Sequence, residues 1–489
     1  MAGLEATQQS GAVGSYSLAV WLFLRLLGLI YLAAFLSLGI QIRGLLGRGG
    51  LLPARELLAG RAHWGWARFQ RWPTLCWLRC TDGALLFLTW GGTGLSLLLV
   101  AGVAPLPVLV LLWAFYLSLF TVGRLFLCYQ WDILLLEAGW LAVLIAPIEF
   151  WPHWPTKAPA PIALLLLWWL LFRLMFWSGM VKLRSGDISW RKLTALQYHY
   201  ETQPLPAAGG WYVHQLPPLF HKLCAAIVLV IELITPFLIF LPAPWKYAAA
   251  WAFIVLMISI QLTGNYAFFN LLGIALSVLL FDDHALRPLF GVFTQNTPPG
   301  PVFAASAGPR LIAAAAGLLV LLLSLESAAA LFRLDVKWPA WLARWFDRLE
   351  PFHFLNSYGL FAVMTTWRPE IILEGSYDRR SWEPYEFKWK PGDVRIAPRW
   401  IAPHQPRLDW QMWFLALGAG INSSWFERLR ERLIEGSPEV LKLLKTNPFP
   451  DGPPRYVRGV YYDYRFTSWS ERKATGAWWR RERRGLFEG

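Results

Sequence analysis

Long apolar stretches separated by short polar segments fill the first two thirds of the chain. A helix of about 20 mainly apolar residues can cross a bilayer. Nine stretches have this character, so we predict an all-α polytopic membrane bundle of about eight to ten transmembrane helices. The stretches are Ser17–Ile40, Gly83–Val103, Leu106–Val122, Leu125–Pro147, Pro161–Val181, Leu223–Leu241, Tyr247–Leu262, Tyr266–Phe281 and Arg310–Phe332.

The pattern changes after Phe332, where polar and apolar residues begin to alternate. Alternation in Glu370–Gly375 and Tyr385–Lys390, with a polar turn between them, predicts a β-hairpin. We expect further strands at Arg399–Ala402 and Tyr456–Phe466, a helix in Ser424–Lys445 and a frayed basic tail at Arg480–Gly489. These elements predict a small β-rich, sandwich-like soluble domain with appended helices.

Composition agrees with a membrane protein. Hydrophobic residues make up 56% of the 489 residues and charged residues only 16%, whereas soluble domains carry roughly 25% charge. The 31 tryptophans suit a membrane–water interface, and the net charge of +14 suits loops facing anionic membrane lipid. No basic helix or aromatic–basic module indicates nucleic-acid binding. We divide the chain into a bundle, residues 1–332, with a polar juxtamembrane segment at 182–222, and a soluble domain, residues 333–489.

Loop arginines predict the orientation. The loop Gln41–Arg79 contains seven arginines, which places it in the cytoplasm by the positive-inside rule. Alternation along the chain then puts the polar juxtamembrane segment on the same side. With nine helices, the soluble domain also falls on that side.

The polar juxtamembrane segment is the richest in candidate chemistry, because polar groups beside a bilayer are costly unless they are paired or functional. Lys182 either extends its ammonium towards the interface or has a pKa lowered by desolvation and acts as a base. Glu201 is the second catalytic candidate. The histidines match no compact metal motif, so we predict no metal. Further binding candidates in the segment are Asp187, Trp190, His199, Tyr200, Gln203, His214 and Gln215.

Two other groups of residues are binding candidates. Asp132 and Glu137 lie in a predicted span with Gln130, and either form ion pairs with Arg124 and Arg173 or belong to a site. The second group lies in the soluble domain, where arginine and aromatic residues form either a protein-binding surface or internal packing. It comprises Glu374, His404, Gln405, Arg407, Asp409, Trp410 and Trp413.

Enzyme motifs are absent from the sequence. It contains no phosphate-binding loop, no dinucleotide-binding glycine pattern and no G-x-S-x-G turn, and we predict no cofactor. Cys76 and Cys80 form a C-x3-C pair with no second pair of ligands, so they are either core residues or a redox or metal pair.

Several of these segments resemble the lipase maturation factor family. The resemblance implies a multi-pass membrane protein that helps secreted lipases to fold and become active. In eukaryotic members this takes place in the endoplasmic reticulum, and the C-terminal domain faces the lumen, opposite to the orientation predicted from charge; we favour the placement of the family. The family supplies no agreed catalytic residues. The segments are Tyr129–Ala138, Arg173–Leu183, Ser185–Trp190, Leu193–Pro206, Trp211–Pro217, Asn356–Thr366, Arg368–Gly375 and Ile401–Phe414.

The resemblance makes secreted client proteins, above all lipases, the expected partners. The composition, rich in Arg and Trp and poor in Cys, looks bacterial, in which case the membrane is the bacterial inner membrane and the client need not be a lipase. We therefore favour a non-enzymatic maturation factor whose soluble domain offers Arg407, Trp410 and Trp413 to a folding client.

Two alternatives remain. Ser178–Leu183 followed by Trp190 is similar to the membrane helix of the vitamin K-dependent γ-carboxylase, in which a lysine is the base. This likeness suggests a membrane enzyme acting on a lipid, a quinone or a polypeptide with Lys182 as base. A transporter ranks last because few charges lie within the spans. Those charges are Asp132, Glu137, Arg173, Glu232 and Glu326.

Overall fold

The computed structural model describes residues 15–152, 159–294, 307–418 and 424–487. The helices of the membrane part are α1 (Ser17–Gly39), α2 (Ile42–Leu46), α3 (Ala54–Ala59), α4 (Ala67–Arg71), α5 (Asp82–Ala101), α6 (Pro105–Gly123), α7 (Gln130–Val143), α8 (Pro161–Arg184), α9 (Ile188–Arg191), α10 (Ala195–Thr202), α11 (Ala208–His214), α12 (Pro218–Leu233), α13 (Ala243–Thr263), α14 (Phe269–Val278), α15 (Asp283–Thr294) and α16 (Ala307–Phe332). The C-terminal domain contains α17 (Ala340–Leu349), β1 (Arg368–Ser376), β2 (Glu383–Tyr385), α18 (Arg407–Ala416), α19 (Ser424–Ile434), α20 (Pro438–Leu441), β3 (Tyr456–Phe466), α21 (Trp469–Thr475) and β4 (Trp479–Phe487).

Seven helices in the described part of the chain are long and apolar enough to cross a membrane, and a bent pair formed by α14 and the start of α15 would make eight. These seven correspond to seven of the nine predicted spans. The other two predictions, Leu125–Pro147 and Tyr266–Phe281, contain helices of only 14 and 10 residues. Their apolar character reflects burial inside the bundle, where both helices pack against α8.

The short helix α7 nevertheless joins opposite faces of the bundle. The Tyr129 hydroxyl, just before α7, accepts a hydrogen bond from Gln411 of the C-terminal domain, while beyond α7 the carbonyl of Phe150 accepts one from Ala104 in the α5–α6 turn. A helix surrounded by other helices meets protein side chains instead of lipid, so it does not need to match the bilayer thickness.

The C-terminal domain lies against one face of the bundle, which we call the domain face. On this face Arg43 of the arginine-rich loop pairs with Glu439 at 2.9 Å, and Arg368 of β1 donates to the carbonyl of Glu201 in the polar juxtamembrane segment at 2.9 Å. The loop, the segment and the domain therefore lie on one side of the bundle.

A single antiparallel sheet of four strands, in the order β2-β1-β3-β4, forms the centre of the C-terminal domain. Ile371 of β1 pairs with Tyr461 of β3, and the predicted hairpin is present as β1 and β2, although β2 contains only Glu383–Tyr385. The sheet packs against α18, so a helix takes the place that a second sheet would have in a sandwich. The domain is thus β-rich with appended helices, as predicted.

Three details of the predicted domain are wrong. Arg399–Ala402 forms no strand, because its amides and carbonyls turn towards Asn265 of the bundle. The predicted basic tail is mostly strand β4, which pairs with β3 along its length and buries Trp479. The helix predicted at Ser424–Lys445 is divided into α19 and α20 at Gly436, whose φ of 68° lies in the left-handed region that ends helices.

Candidate functional site

A pocket of about 90 Å³ lies at the domain-face end of the bundle, between α8, α12, α13 and the polar juxtamembrane segment. Most of its wall is apolar and comes from membrane helices, including Met175, Val228 and Met257. Three predicted site residues, Lys182, Trp190 and His199, also line it.

Lys182 is paired within this pocket. Its Nζ donates to both carboxylate oxygens of Glu232 at 2.8 Å and to the carbonyl of Ser178 at 3.2 Å. The ammonium also lies 5.3 Å from the centre of the Trp190 ring. The three hydrogens of an ammonium are therefore all accounted for, and Lys182 does not extend to the interface as a free cation.

His199 belongs to a hydrogen-bonded chain on the opposite wall. Gln203 donates through its Nε2 to the carbonyls of Tyr200 and Thr263, so its Oε1 can only accept, and it does so from the Tyr266 hydroxyl at 2.7 Å. Because the Tyr266 hydroxyl already donates its hydrogen to Gln203, it accepts a hydrogen bond from His199 Nε2 at 3.2 Å. Burial, and to a smaller degree the charge of Lys182, lowers the pKa of His199 to about 4, so the ring is neutral at neutral pH.

The remaining candidates of the polar juxtamembrane segment face protein. Asp187 caps α9 through the amide of Ser189, and Gln215 donates to the carbonyl of Thr467 at 3.2 Å. Glu201 accepts from the amide of Phe466 at 3.0 Å and lies 3.8 Å from His214, whose pKa is lowered by burial against the opposing effect of Glu201. Glu201 does not line the pocket, so the structure does not bring together the two catalytic candidates. Tyr200 is buried in an aromatic cluster with Trp211, Tyr464, Phe466 and Trp479.

A fully buried ion pair joins the two domains. Arg407, at the start of α18, donates to the two carboxylate oxygens of Asp132 in α7 at 2.8 and 2.9 Å, and Tyr116 donates to the same carboxylate. Arg407 and Asp132 are both 0% exposed. The predicted partners of Asp132 were Arg124 and Arg173. Arg407 is the actual partner, and its guanidinium is not available to a client.

A second buried network surrounds Glu137. This carboxylate pairs with Arg173, as the sequence suggested, and accepts from the Tyr358 hydroxyl at 2.7 Å and from the amide of Asn356 at 2.8 Å. Nearby, Gln130 accepts from the amide of Gly359 at 2.9 Å. The segment that follows α17 is therefore fixed to the bundle by side chains of α7.

The predicted client-binding surface of the C-terminal domain is wrong for most of its residues. Trp410 and Trp413 are buried, and Trp413 donates to the carbonyl of Thr202 at 3.0 Å. The side chain of Gln405 is fully buried, and its backbone carbonyl accepts from Gln41 at 2.8 Å. Amphipathic residues in a rigid loop suggested a hot spot for protein binding, but in the structure these side chains are buried against the bundle. Of the group, Glu374 is partly exposed and pairs with Arg458 at 2.7 Å.

Two titratable groups of this interface have shifted pKa values. His404 Nδ1 lies 2.9 Å from Ser37 Oγ, and burial together with the charges of Arg407 and Lys388 lowers the pKa of His404 to about 4. Burial raises the pKa of Asp409 to about 6, although two backbone amides donate to its carboxylate at 2.9 Å. In both side chains the protein favours the neutral form more strongly than water does.

Sequence reasoning missed several pocket residues. Glu232 was noticed only as an isolated charge in a span, yet a lone acid in an apolar helix requires a partner. Tyr266 and Phe361 gave no usable signal, because aromatic residues are common throughout the chain.

The fold and the site define a class of protein, namely a multi-pass membrane bundle with a small β-rich domain fixed to one face and a pocket beneath that domain. Two family models match: the lipase maturation factor transmembrane domain over residues 18–288 and the lipase maturation factor C-terminal domain over residues 354–488. The chain therefore belongs to the lipase maturation factor family.

Individual relatives agree. The chain is 37% identical to lipase maturation factor 2 of Gallus gallus, covering 94% of this chain and 79% of the relative. Identity is 35% with lipase maturation factor 2 of Homo sapiens, covering 94% and 81%, and 33% with lipase maturation factor 1 of Bos taurus, covering 97% and 89%. These relatives are vertebrate proteins and lend no support to a bacterial inner membrane. No solved structure matches the chain.

Proposed function

We propose that this chain is a membrane-embedded maturation factor that assists the folding and activation of secreted lipases or related secreted proteins, in the membrane of the endoplasmic reticulum. The observation that carries the proposal is the match to both family domains, which together span most of the chain. The absence of compact enzyme motifs from the sequence agrees with a role that needs no catalysis.

Two buried networks would hold the C-terminal domain of such a factor against its membrane bundle. The Asp132–Arg407 pair and the Glu137 network fix the C-terminal domain and the segment before it to the bundle. A client would therefore meet a rigid surface that stands at a fixed height above the membrane. The residues available for contact are those exposed on the domain, such as Trp400 and Trp469, in place of the buried Arg407 and Trp410.

The direct test is expression of a secreted lipase in cells that lack their own maturation factors, with and without this chain. The measurement is the enzymatic activity per amount of secreted lipase. We expect this specific activity to rise with the chain, while a secreted enzyme that is not a lipase stays unchanged. An unrelated polytopic protein at equal abundance is the control. An unchanged specific activity with the chain abundant would refute the role for that client.

A second test concerns the compartment of the domain face. Single cysteines at Trp66, Gly452 and Pro242, in a background in which the four native cysteines are replaced, are probed with an impermeant maleimide on sealed microsomes. Trp66 and Gly452 lie on the domain face and Pro242 on the opposite one. We expect the first two to react only after detergent is added. Immediate reaction at both would place the domain in the cytoplasm, where it could not assist a secreted client.

A membrane enzyme with Lys182 as base is the second candidate, and the position of Lys182 in the wall of an apolar pocket favours it. The contacts to Glu232 and Ser178 oppose it, because a base needs a free lone pair on Nζ. Lys182→Arg keeps the charge but cannot readily lose a proton. Full support of client maturation by this variant, at wild-type abundance, would rule out a mechanism that uses Lys182 as base.

A further inference from the structure

The pocket beneath the C-terminal domain has the surroundings of a lipid site. Its apolar wall is contributed by α8, α12 and α13, three helices that are long and apolar enough to cross the membrane. Immediately beside the wall, on the outer side of α12, Ile227 is 56% exposed and so faces the region that lipid would occupy. The helices that line the pocket are therefore the same helices that would meet the hydrocarbon of the bilayer.

The charges that face the pocket cancel. Lys182 and Glu232 pair at 2.8 Å through both carboxylate oxygens, and the Trp190 ring already lies over the ammonium. The other titratable groups of the wall are His199 and Tyr266, which bond to each other and are both neutral at neutral pH. An anionic or cationic head group would thus find no uncompensated counter-charge among the lining residues.

From this geometry we propose that the pocket binds the hydrocarbon part of an uncharged membrane lipid, with its polar but non-ionic head beside the Lys182–Glu232 pair. The apolar wall recognises the chain by burial, and the neutral end of the pocket selects against charged lipids, since a charge buried without a partner costs several kcal/mol. Acylglycerols and isoprenoid quinones both have this chemistry. The proposal depends on the pocket alone and would survive failure of the proposed maturation role.

The test is photolabelling of the full-length chain in lipid nanodiscs with a monoacylglycerol that carries a diazirine in its acyl chain, followed by mapping of the labelled peptides. We expect label on peptides of α8, α12 and α13 that line the pocket. Unlabelled diolein and a long-chain isoprenoid quinone are added in separate competitions, and the better competitor identifies the source of the lipid. Oleate at pH 9, where it is anionic, should compete about a hundredfold more weakly.

Two tryptophan variants on one turn of α12 provide a matched control. Val228→Trp places a large ring in the pocket and should lower pocket labelling about tenfold, whereas Ile227→Trp places the same ring on the outer surface and should leave labelling unchanged. The abundance and thermal stability of both variants are measured in parallel, and the competitions on the unaltered chain remain decisive if Val228→Trp does not fold. Label spread over outward-facing residues, or oleate competing as well as the neutral lipids, would overturn the proposal.

Discussion

Removal of the Arg407 guanidinium should destabilise the whole protein without any involvement of a client. In Arg407→Met the Asp132 carboxylate stays buried, and among the described residues only the Tyr116 hydroxyl then donates to it. Loss of one partner from a buried ion pair costs about 3–5 kcal/mol. This corresponds to a fall of roughly a hundredfold to a few thousandfold in the ratio of folded to unfolded protein.

The assay is reversible unfolding of the purified full-length chain in mixed micelles, with the free energy of unfolding taken from the denaturant dependence. Arg480→Met is the matched control, because Arg480 forms an exposed pair with Glu471 and exposed pairs contribute at most about 1 kcal/mol. The double variant Asp132→Asn with Arg407→Met removes both charges and should be more stable than Arg407→Met alone.

The reasoning would be refuted if Arg407→Met unfolded within about 1 kcal/mol of the unaltered chain, the range of the exposed pair. A double variant as unstable as the sum of the two single variants would also contradict it, because the two charges would then act independently.

Three further predictions follow from buried groups. Glu137→Gln leaves a buried arginine without its counter-charge and should lower the free energy of unfolding by about 3–5 kcal/mol, measured in the same micelles; a loss below that of an exposed pair would contradict the network. The folded pKa of His404 is about 4 and lies below its unfolded value, so the free energy of unfolding should fall as the pH falls from about 6.5 towards 4. His404→Gln should make that fall smaller. An unchanged dependence of the free energy of unfolding on pH in this variant would show that the ring does not titrate as described. A Cβ at Gly44 would lie 2.5 Å from the Glu439 carbonyl oxygen, whereas one at Gly94 meets nothing within 4 Å. Gly44→Ala should therefore lower the free energy of unfolding by about 1–3 kcal/mol and lower the melting temperature, while Gly94→Ala should not. Equal melting temperatures of the two variants would refute the close packing at Gly44.

The bundle was largely predictable because apolar stretches in a membrane protein are long and carry few charges. Seven spans matched predicted ones. The short lengths of α7 and α14 were not predictable, because an apolar sequence indicates burial in lipid and burial in protein equally well. The strand β4 escaped prediction for a different reason: Arg and Glu occupy positions 480–484 on both of its faces, and apolar residues stand only near its two ends, so the alternation that marks a half-buried strand is lost.

For the site, the sequence identified the polar residues but not their partners. Asp132 and Glu137 were recognised as residues that need counter-charges, and the pairing of Glu137 with Arg173 was found because both lie in predicted spans. Arg407 lies 275 residues from Asp132, in a domain predicted to be separate, and local patterns carry no information about such distant pairs. For the same reason, buried tryptophans of the domain interface were mistaken for a binding surface.

The buried pair between Asp132 and Arg407 also bears on how this architecture can be recombined. The two family models divide the chain at residues 288 and 354, which invites chimeras that exchange C-terminal halves between relatives. Because each half contributes one charge of the pair, a chimera inherits a matched interior only if both parents place the same charges at these two positions. Exchange of a C-terminal half at the family boundary therefore requires that the recipient carries an acidic residue at the position of Asp132 in α7.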